Sequence, residues 1–539
     1  MNIQNTTPKP QVDAETLIIG TGFSGLGLAV ILEREGTRDY LMLERGQDVG
    51  GTWRDNHYPG AGCDVFSHLY SYSFRPNPHW SRTYSKQPEI LKYLQDTAKD
   101  EGVYPKVRFG TTVTRAEWIE EDGLWQVETN NGTYRARALV SATGHLSDLA
   151  MPDIEGLESF GGKMMHSSQW DHDYDYTGKR VGIIGTGASS IQIAPEIAPD
   201  VSHLTVFQRS PQYNVPSGNR PVTQDEVDRT KEHFPEIWDQ VRGSVVAFGF
   251  EESAVEAMSV SAQERERVFQ ENWDAGNGFR FMFGTFCDIA TDPDANAAAA
   301  AFIRRKISEI VVDPETARKL TPTDLYAKRP ICNEGYYETF NRDDVELVSI
   351  RENPIAEVTP AGVRTADGVV HELDVLVLAT GFDAVDGNYR AMDLRGRGGR
   401  HIDDHWTDGP SSYLGVSKAG FPNMFMILGP NGPFTNLPPS IEAQVEWIGE
   451  LIGHAERGGI GTIEPTAEAE QGWSRLCREI ADATLFPKAD SWIFGANIPG
   501  KPNAVMFYMA GHRAYREELS TVARDGYRGF AMHGSGGSR

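Results

Sequence analysis

The chain has 539 residues, enough for two or three domains with sizeable cores. A hydrophobic content of 39% with Gly 55 and Pro 30 fits a loop-rich α/β protein. Its net charge of −25, from 51 basic and 76 acidic residues, argues against nucleic acid or an anionic membrane as a partner. Cys63, Cys287, Cys332 and Cys477 are scattered, with no CxxC pair and no Cys/His metal spacing. They read as free thiols in a reducing cytoplasm, and no metal site is expected. The opening MNIQNTTPKPQVDAE lacks the apolar core of a signal peptide, and the closing GSGGSR reads as a flexible tail. No apolar run approaches the roughly 18 residues a spanning helix needs, so no membrane association is expected.

Thr16–Ile19 is a short β-type run that ends in Gly20-Thr21-Gly22-Phe23-Ser24-Gly25, and Leu26–Arg34 then has helical spacing. Gly20 suits the tight turn, Gly22 a close approach of backbone to a diphosphate, and Gly25 the packing of helix on strand. The free N–H groups at the helix start would face that diphosphate. A second strand, Tyr40–Leu43, ends in Glu44, placed to accept hydrogen bonds from a ribose diol. The whole unit predicts a dinucleotide site. The following loop, Gly50 to Asp64, frames Trp53 and Tyr58 with glycines and a proline, which suits a loop lying against a flat ring system. Asp64 is open between a solvated or capping role and pairing with a distant cation.

Lys106–Gly144 reads as short strands with turns at Asp122-Gly123 and Asn131-Gly132, a β-meander inserted in the first domain. It closes in ALVSATG, ending at Gly144, and a similar VLVLATG ends at Gly381. Two such strand ends predict a chain that leaves one nucleotide domain and later returns to it. Arg180–Ile184 starts the second unit, followed by Gly185-Thr186-Gly187-Ala188-Ser189-Ser190, with Ser190 in place of the third glycine. Gly20 to Glu44 is 24 residues, and the same count from Gly185 reaches Arg209. A cation there would pair with a ribose 2′-phosphate that a carboxylate would repel, which predicts NADPH over NADH. The bland alternative is an exposed Arg unrelated to any cofactor. Pro221–Leu320 is helical by pattern, with an alanine run at Ala295–Ala301 and charge alternation at Glu264–Arg267 that reads as a solvated face.

Between the two glycine loops lies Phe160-x-Gly162-x-x-x-His166-x-x-x-Trp170-Asp171. Spacing alone says little here, since an isolated His is more often structural than catalytic. The pattern resembles the fingerprint of the type I Baeyer–Villiger monooxygenases, and Gly51–Asp64 resembles their second motif, GxWxxxxYPGxxxD. From about residue 220, stretches such as LYAKRPICNEGYYETFNRDDVEL and SWIFGANIPGK narrow the likeness to the cyclohexanone monooxygenase group. Arg54 and Asp55 depart from the pattern, standing where many members carry aromatics.

The resemblance implies an α/β fold of two Rossmann-like dinucleotide-binding domains, for FAD and NADPH, with a helical insertion. The expected divisions are 1–145 and 381–539 for the FAD domain, 152–213 and 328–380 for the NADPH domain, and 214–327 for the insertion. It also implies ketone oxygenation with O2, through a flavin 4a-peroxide and a Criegee intermediate, to an ester or lactone. Arg329 is then the active-site arginine and Asp64 its partner, while Lys328 joins Arg209 at the 2′-phosphate. Without the resemblance, Lys328-Arg329 would be two surface cations on a loop broken by Pro330. Thr52, Trp53, Tyr70, Val113 and Leu437 join the FAD site, and Gln192 and Ser210 the NADPH site. Trp492 is placed on the nucleotide by a mobile loop near 486–505. Phe248, Phe434, Leu437 and Phe507 are expected to wall the substrate, each otherwise ordinary core. The protein is expected to act as a monomer. The rival readings are an S/N-oxygenating flavin monooxygenase and a flavoprotein reductase; the missing CxxC speaks against a disulfide version of the latter.

Overall fold

A computed structural model describes residues 12–534. The first 11 residues and the last five, with most of the expected tail, lie outside the described residues. Ala14–Ile19 (β1) is almost wholly buried, as a central parallel strand covered on both faces should be. It feeds Phe23–Glu35 (α1), which ends at Gly36 in the left-handed conformation, and then Tyr40–Leu43 (β2), parallel to β1. After the short helix Thr52–Asp55 (α2), Val107–Arg108 (β3) adds to β2. Val113–Ile119 (β4), Leu124–Thr129 (β5) and Gly132–Ser141 (β6) then form the expected antiparallel meander. β6 does two jobs: its first half pairs with β5, while much of its length runs parallel to β1.

The second sheet is parallel throughout. Lys163–His166 (β7) and Arg180–Ile184 (β8) lead through Ala188–Ile197 (α3) to His203–Gln208 (β9). Val345–Ser349 (β10) and Val375–Leu378 (β11) complete the order β10-β9-β8-β11-β7. Between β9 and β10 the chain is mainly helical, with helices at Gln224–Glu232, Phe234–Gly243, Ala262–Ala275, Gly278–Phe283, Pro293–Ile310 and Pro314–Leu320. On the third of these Arg267 pairs with Glu264 and Glu271 at the surface, the solvated face expected from the charge alternation. The chain then rejoins the first sheet, where Leu394–Arg395 (β12) pairs with β4 and Met424–Met426 (β13) with β6. Leu437–Gly458 (α4) packs against α1. No helix among the described residues is long and apolar enough to cross a membrane.

Candidate active site

Both glycine loops are built on one plan. Gly20 has φ 102°, and a Cβ there would lie 2.6 Å from the Ala142 carbonyl oxygen. Gly185 has φ 114° and lies as tightly against the Ala379 carbonyl. The two ATG strand ends are therefore what the two loops pack upon, so any side chain at either turn would collide with backbone. Gly51 closes the first loop from the other side, since a Cβ on it would come within 2.9 Å of Gly22 Cα. α1 and α3 start from Gly22 and Gly187 with no side-chain cap, leaving their first N–H groups free for a diphosphate. Phe23 and Ser24 are buried, and the Phe23 ring centroid lies 5.2 Å from those of Tyr70 and Tyr72, so they brace the loop. Ser190 is fully buried under α3.

The strand ends carry the difference between the units. Gly20 N donates to Leu43 O (2.9 Å), and Gly185 N to Phe207 O (3.1 Å). The counterpart of Glu44 is thus Gln208, and the expected match to Arg209 is one residue out because the second loop closes one residue sooner. Glu44 accepts from Thr21 N (3.1 Å), Thr21 Oγ1 (2.7 Å) and Gly46 N (2.7 Å). Buried Gln208 donates to Lys319 O (2.7 Å), while Arg209 is exposed with no ion-pair partner among the described residues. Thr186 Oγ1 donates to Ser210 O (2.8 Å). Gln192, expected on the nucleotide, has its amide engaged by protein: Tyr58 donates to its Oε1 (2.8 Å) and its Nε2 to Gly62 O (3.1 Å). It clasps the Gly51–Asp64 loop to α3.

Asp64 and Arg329, 265 positions apart, meet. Arg329 Nη2 donates to both Asp64 oxygens, at 3.0 and 2.8 Å, with the two side chains 30% and 20% exposed. Burial works against the Arg329 charge, but the Asp64 carboxylate outweighs it and holds the guanidinium above its ordinary range. The guanidinium carbon lies 5.3 Å from the Phe279 ring centroid, and Phe279 stacks on Phe248 at 4.0 Å. Asn277 joins these parts. Its Nδ2 donates to Asp64 O (2.7 Å), and its Oδ1 caps the helix that carries Phe279. Burial, helped by Asp64, pushes the Cys332 thiol up to about 12 and the Cys63 thiol well above its usual value, which favours their protonated form. Lys328 pairs with Asp324 (2.6 Å) and lines a small concavity with Arg329 and Gln212.

The fingerprint stretch lies elsewhere. Gly162 packs against the Asp374 carbonyl at the start of β7, beside the Phe160 ring. His166 is buried, accepts from Ser168 N (3.2 Å) and sits 5.9 Å from the Phe382 ring. Burial lowers its pKa. Phe382 belongs to one of the two crossovers between the sheets, and these run antiparallel: Ala150 N donates to Gly381 O (3.0 Å) and Asp383 N to Asp148 O (2.9 Å). Trp170 is buried with its edge on Tyr176 (5.9 Å), and Asp171 pairs with Lys163.

Three comparisons bear on this arrangement. The pyridine nucleotide-disulphide oxidoreductase family model matches residues 17–273. A Baeyer–Villiger monooxygenase of Pseudooceanicola batsensis is 52% identical, covering 98% of each chain. The chain belongs to the Baeyer–Villiger monooxygenases. A phenazine N-monooxygenase of Lysobacter antibioticus is 51% identical, over 96% of this chain and 97% of that one. The solved structure of cyclohexanone monooxygenase from Rhodococcus sp. Phi1 bound to NADP+ is 54% identical with a TM-score of 0.96, covering 98% of this chain and 100% of that one.

In this Baeyer–Villiger monooxygenase the four expected substrate-wall residues fall into two groups. Phe434 and Phe507 lie 5.4 Å apart, with Trp492 5.9 Å from Phe507. Phe248 sits instead with Phe279 beside Arg329. Asn436, just before Leu437, bridges the groups by donating from N to Val246 O (3.0 Å) and from Nδ2 to Ala247 O (2.9 Å). The loop bearing Trp492 is anchored by Lys501, which pairs with Asp383 and Asp386 of the second crossover. Trp53 Nε1 donates to the Tyr70 hydroxyl (3.2 Å). Thr52 opens α2 and is exposed, while Val113 is buried at the start of β4. Sequence reasoning missed Asn277 and Phe279; an Asn before a glycine and an aromatic run was the only available signal for a capped helix there.

Proposed function

We propose that the protein is an FAD-dependent, NADPH-consuming Baeyer–Villiger monooxygenase that converts cyclic ketones, with O2, to lactones. The observation that carries this is the Asp64–Arg329 pair, a fixed positive charge held against an aromatic floor by residues of the first loop and of the segment leading to β10. FAD would lie along Gly20–Gly25, Gly51, Thr52 and Glu44, where the glycine cradle leaves room for a diphosphate. NADPH would lie along Gly185–Ser190, with Arg209, which is exposed and has no ion-pair partner among the described residues, and Lys328 at its 2′-phosphate. Bound at the first site and reduced by NADPH, the flavin would supply the activation of O2.

The chain's own residues then have separate tasks. Arg329 lies where negative charge develops on the substrate carbonyl oxygen as the carbonyl is attacked. Such a preorganised donor is worth about 3–4 kcal/mol in the transition state. Asp64 orients Arg329 and balances it in the resting site. Phe248 and Phe279 on one side, and Phe434, Leu437 and Phe507 on the other, would enclose an apolar ring. Trp492 would close the site and exclude water. His166 and Trp170 would serve the crossovers, not bond-making. Residues 1–145 with 381–539, and 152–213 with 328–380, would form the two nucleotide domains, with 214–327 inserted. In the same reading the enzyme acts as a cytoplasmic monomer, with its four cysteines free.

The second reading is N-oxygenation, favoured by the similarity to a phenazine N-monooxygenase. Incubation with NADPH, air and matched panels of cyclic ketones, sulfides and aromatic N-heterocycles separates the two. Lactones as the main products, detected by mass, support the proposal. N-oxides with no lactone would overturn it.

A further inference from the structure

Arg54 stands where the family pattern carries an aromatic, yet it is not a surface cation. Its side chain is only 17% exposed, and Nη1 pairs with Glu44 Oε1 at 2.6 Å and donates to Asp48 O at 2.7 Å. Nε donates to Asp55 Oδ1 (2.8 Å), and Asp55 is held in turn by Arg45 (3.2 Å). The guanidinium lies across Gly46, where any Cβ would collide with it. Glu44 is 4% exposed. Thr21 N and Thr21 Oγ1 donate to Oε2, while Gly46 N and Arg54 donate to Oε1. Three of these donors belong to the glycine loop and the β2 turn themselves. Arg54 is the only cation paired with Glu44 among the described residues.

A buried carboxylate that has lost its sole cation both costs free energy and turns in its pocket. We propose that Arg54 is a positioning residue for the adenosine half of the dinucleotide in the first site, acting through Glu44. This rests on the reading that the first site holds FAD. Arg54 thereby takes over, by charge, a task that the aromatic pattern would perform by packing. Asp55 is part of the same device, since it pins the guanidinium plane through Nε while Nη1 faces Glu44.

The test titrates apoprotein with FAD, ADP and FMN, reading flavin fluorescence or calorimetric heat. Arg54→Ala is expected to weaken FAD and ADP by about ten- to a hundredfold, the loss of one charged hydrogen bond, and to leave FMN within about twofold. Arg54→Lys should recover part of the loss, and Asp55→Asn should show a smaller loss in the same order. Unchanged FAD affinity in Arg54→Ala would overturn the proposal, as would an equal loss for FMN. Wild-type apoprotein that binds neither FAD nor ADP would instead defeat the reading of the first site itself.

Discussion

The two nucleotide units share their loop geometry down to the carbonyl each turning glycine meets, yet they differ at the strand end. In the first, Glu44 is buried, held by Thr21 and Gly46 donors and paired with Arg54. In the second, Gln208 donates to Lys319 O and the exposed cation Arg209 has no ion-pair partner among the described residues. The first strand end thus carries an ordered, donor-held carboxylate, and the second a cation with no ion-pair partner among the described residues. Backbone shape is common to the two loops; the side chain that follows β2, Glu44, and the one that closes β9, Gln208, are where they differ. Asp64 comes from the first unit and Arg329 from the segment that leads back into the second, so the charge pair joins the contrasted halves.

The largest effect should come from breaking that joint. Arg329→Ala is expected to cut ketone oxygenation about 10²–10³-fold while leaving FAD bound. Product assays beside the flavin absorption spectrum check this, and normal lactone yield would remove Arg329 from the chemistry. The next test sharpens the strand-end contrast. Arg209→Ala should raise KM for NADPH about tenfold or more and leave that for NADH nearly unchanged. Equal changes would mean that Arg209 does not meet a 2′-phosphate.

The smallest effect concerns stability and falls mainly on the first unit. Burial holds His145 down to about 4, His68 to about 4 and His512 to about 3. A histidine whose folded pKa lies below its unfolded value of about 6.5 binds more protons when unfolded. Each of the three therefore contributes stability that is full above about pH 6.5 and is lost as the pH falls through its folded value, a window from about 6.5 down to about 3. His145 Nε2 is bonded to Leu428 O (2.8 Å), so His145→Gln should flatten part of this slope. Melting temperatures across that range, in wild type and variant, measure it; a flat profile would contradict the burial argument.

Much of the architecture was legible because local chemistry encodes it. Glycines that must turn, apolar runs that must be covered and an ATG at each strand end all leave marks within a few residues. The placement of Asp64 with Arg329 was legible only through family resemblance, since nothing in either neighbourhood names the other. The one-residue offset at Arg209 escaped counting because loop length, not sequence distance, sets which residue ends opposite the turn. Gln192 enters the expected NADPH site only through the resemblance, and its amide contacts to Tyr58 and Gly62 were not legible in the sequence.

Two dinucleotide loops, the missing carboxylate at the second strand end and the family fingerprint between them can all be read from the residues alone. Each follows from short-range patterns that survive without knowledge of neighbours. Packing of the whole chain is what brings Arg54 to Glu44, ties Asp64 through Asn277 to the Phe279 helix, and joins the Phe434 and Phe248 segments through Asn436. Those are long-range pairings, and they depend on how two sheets and an inserted helical segment pack, which no local pattern records.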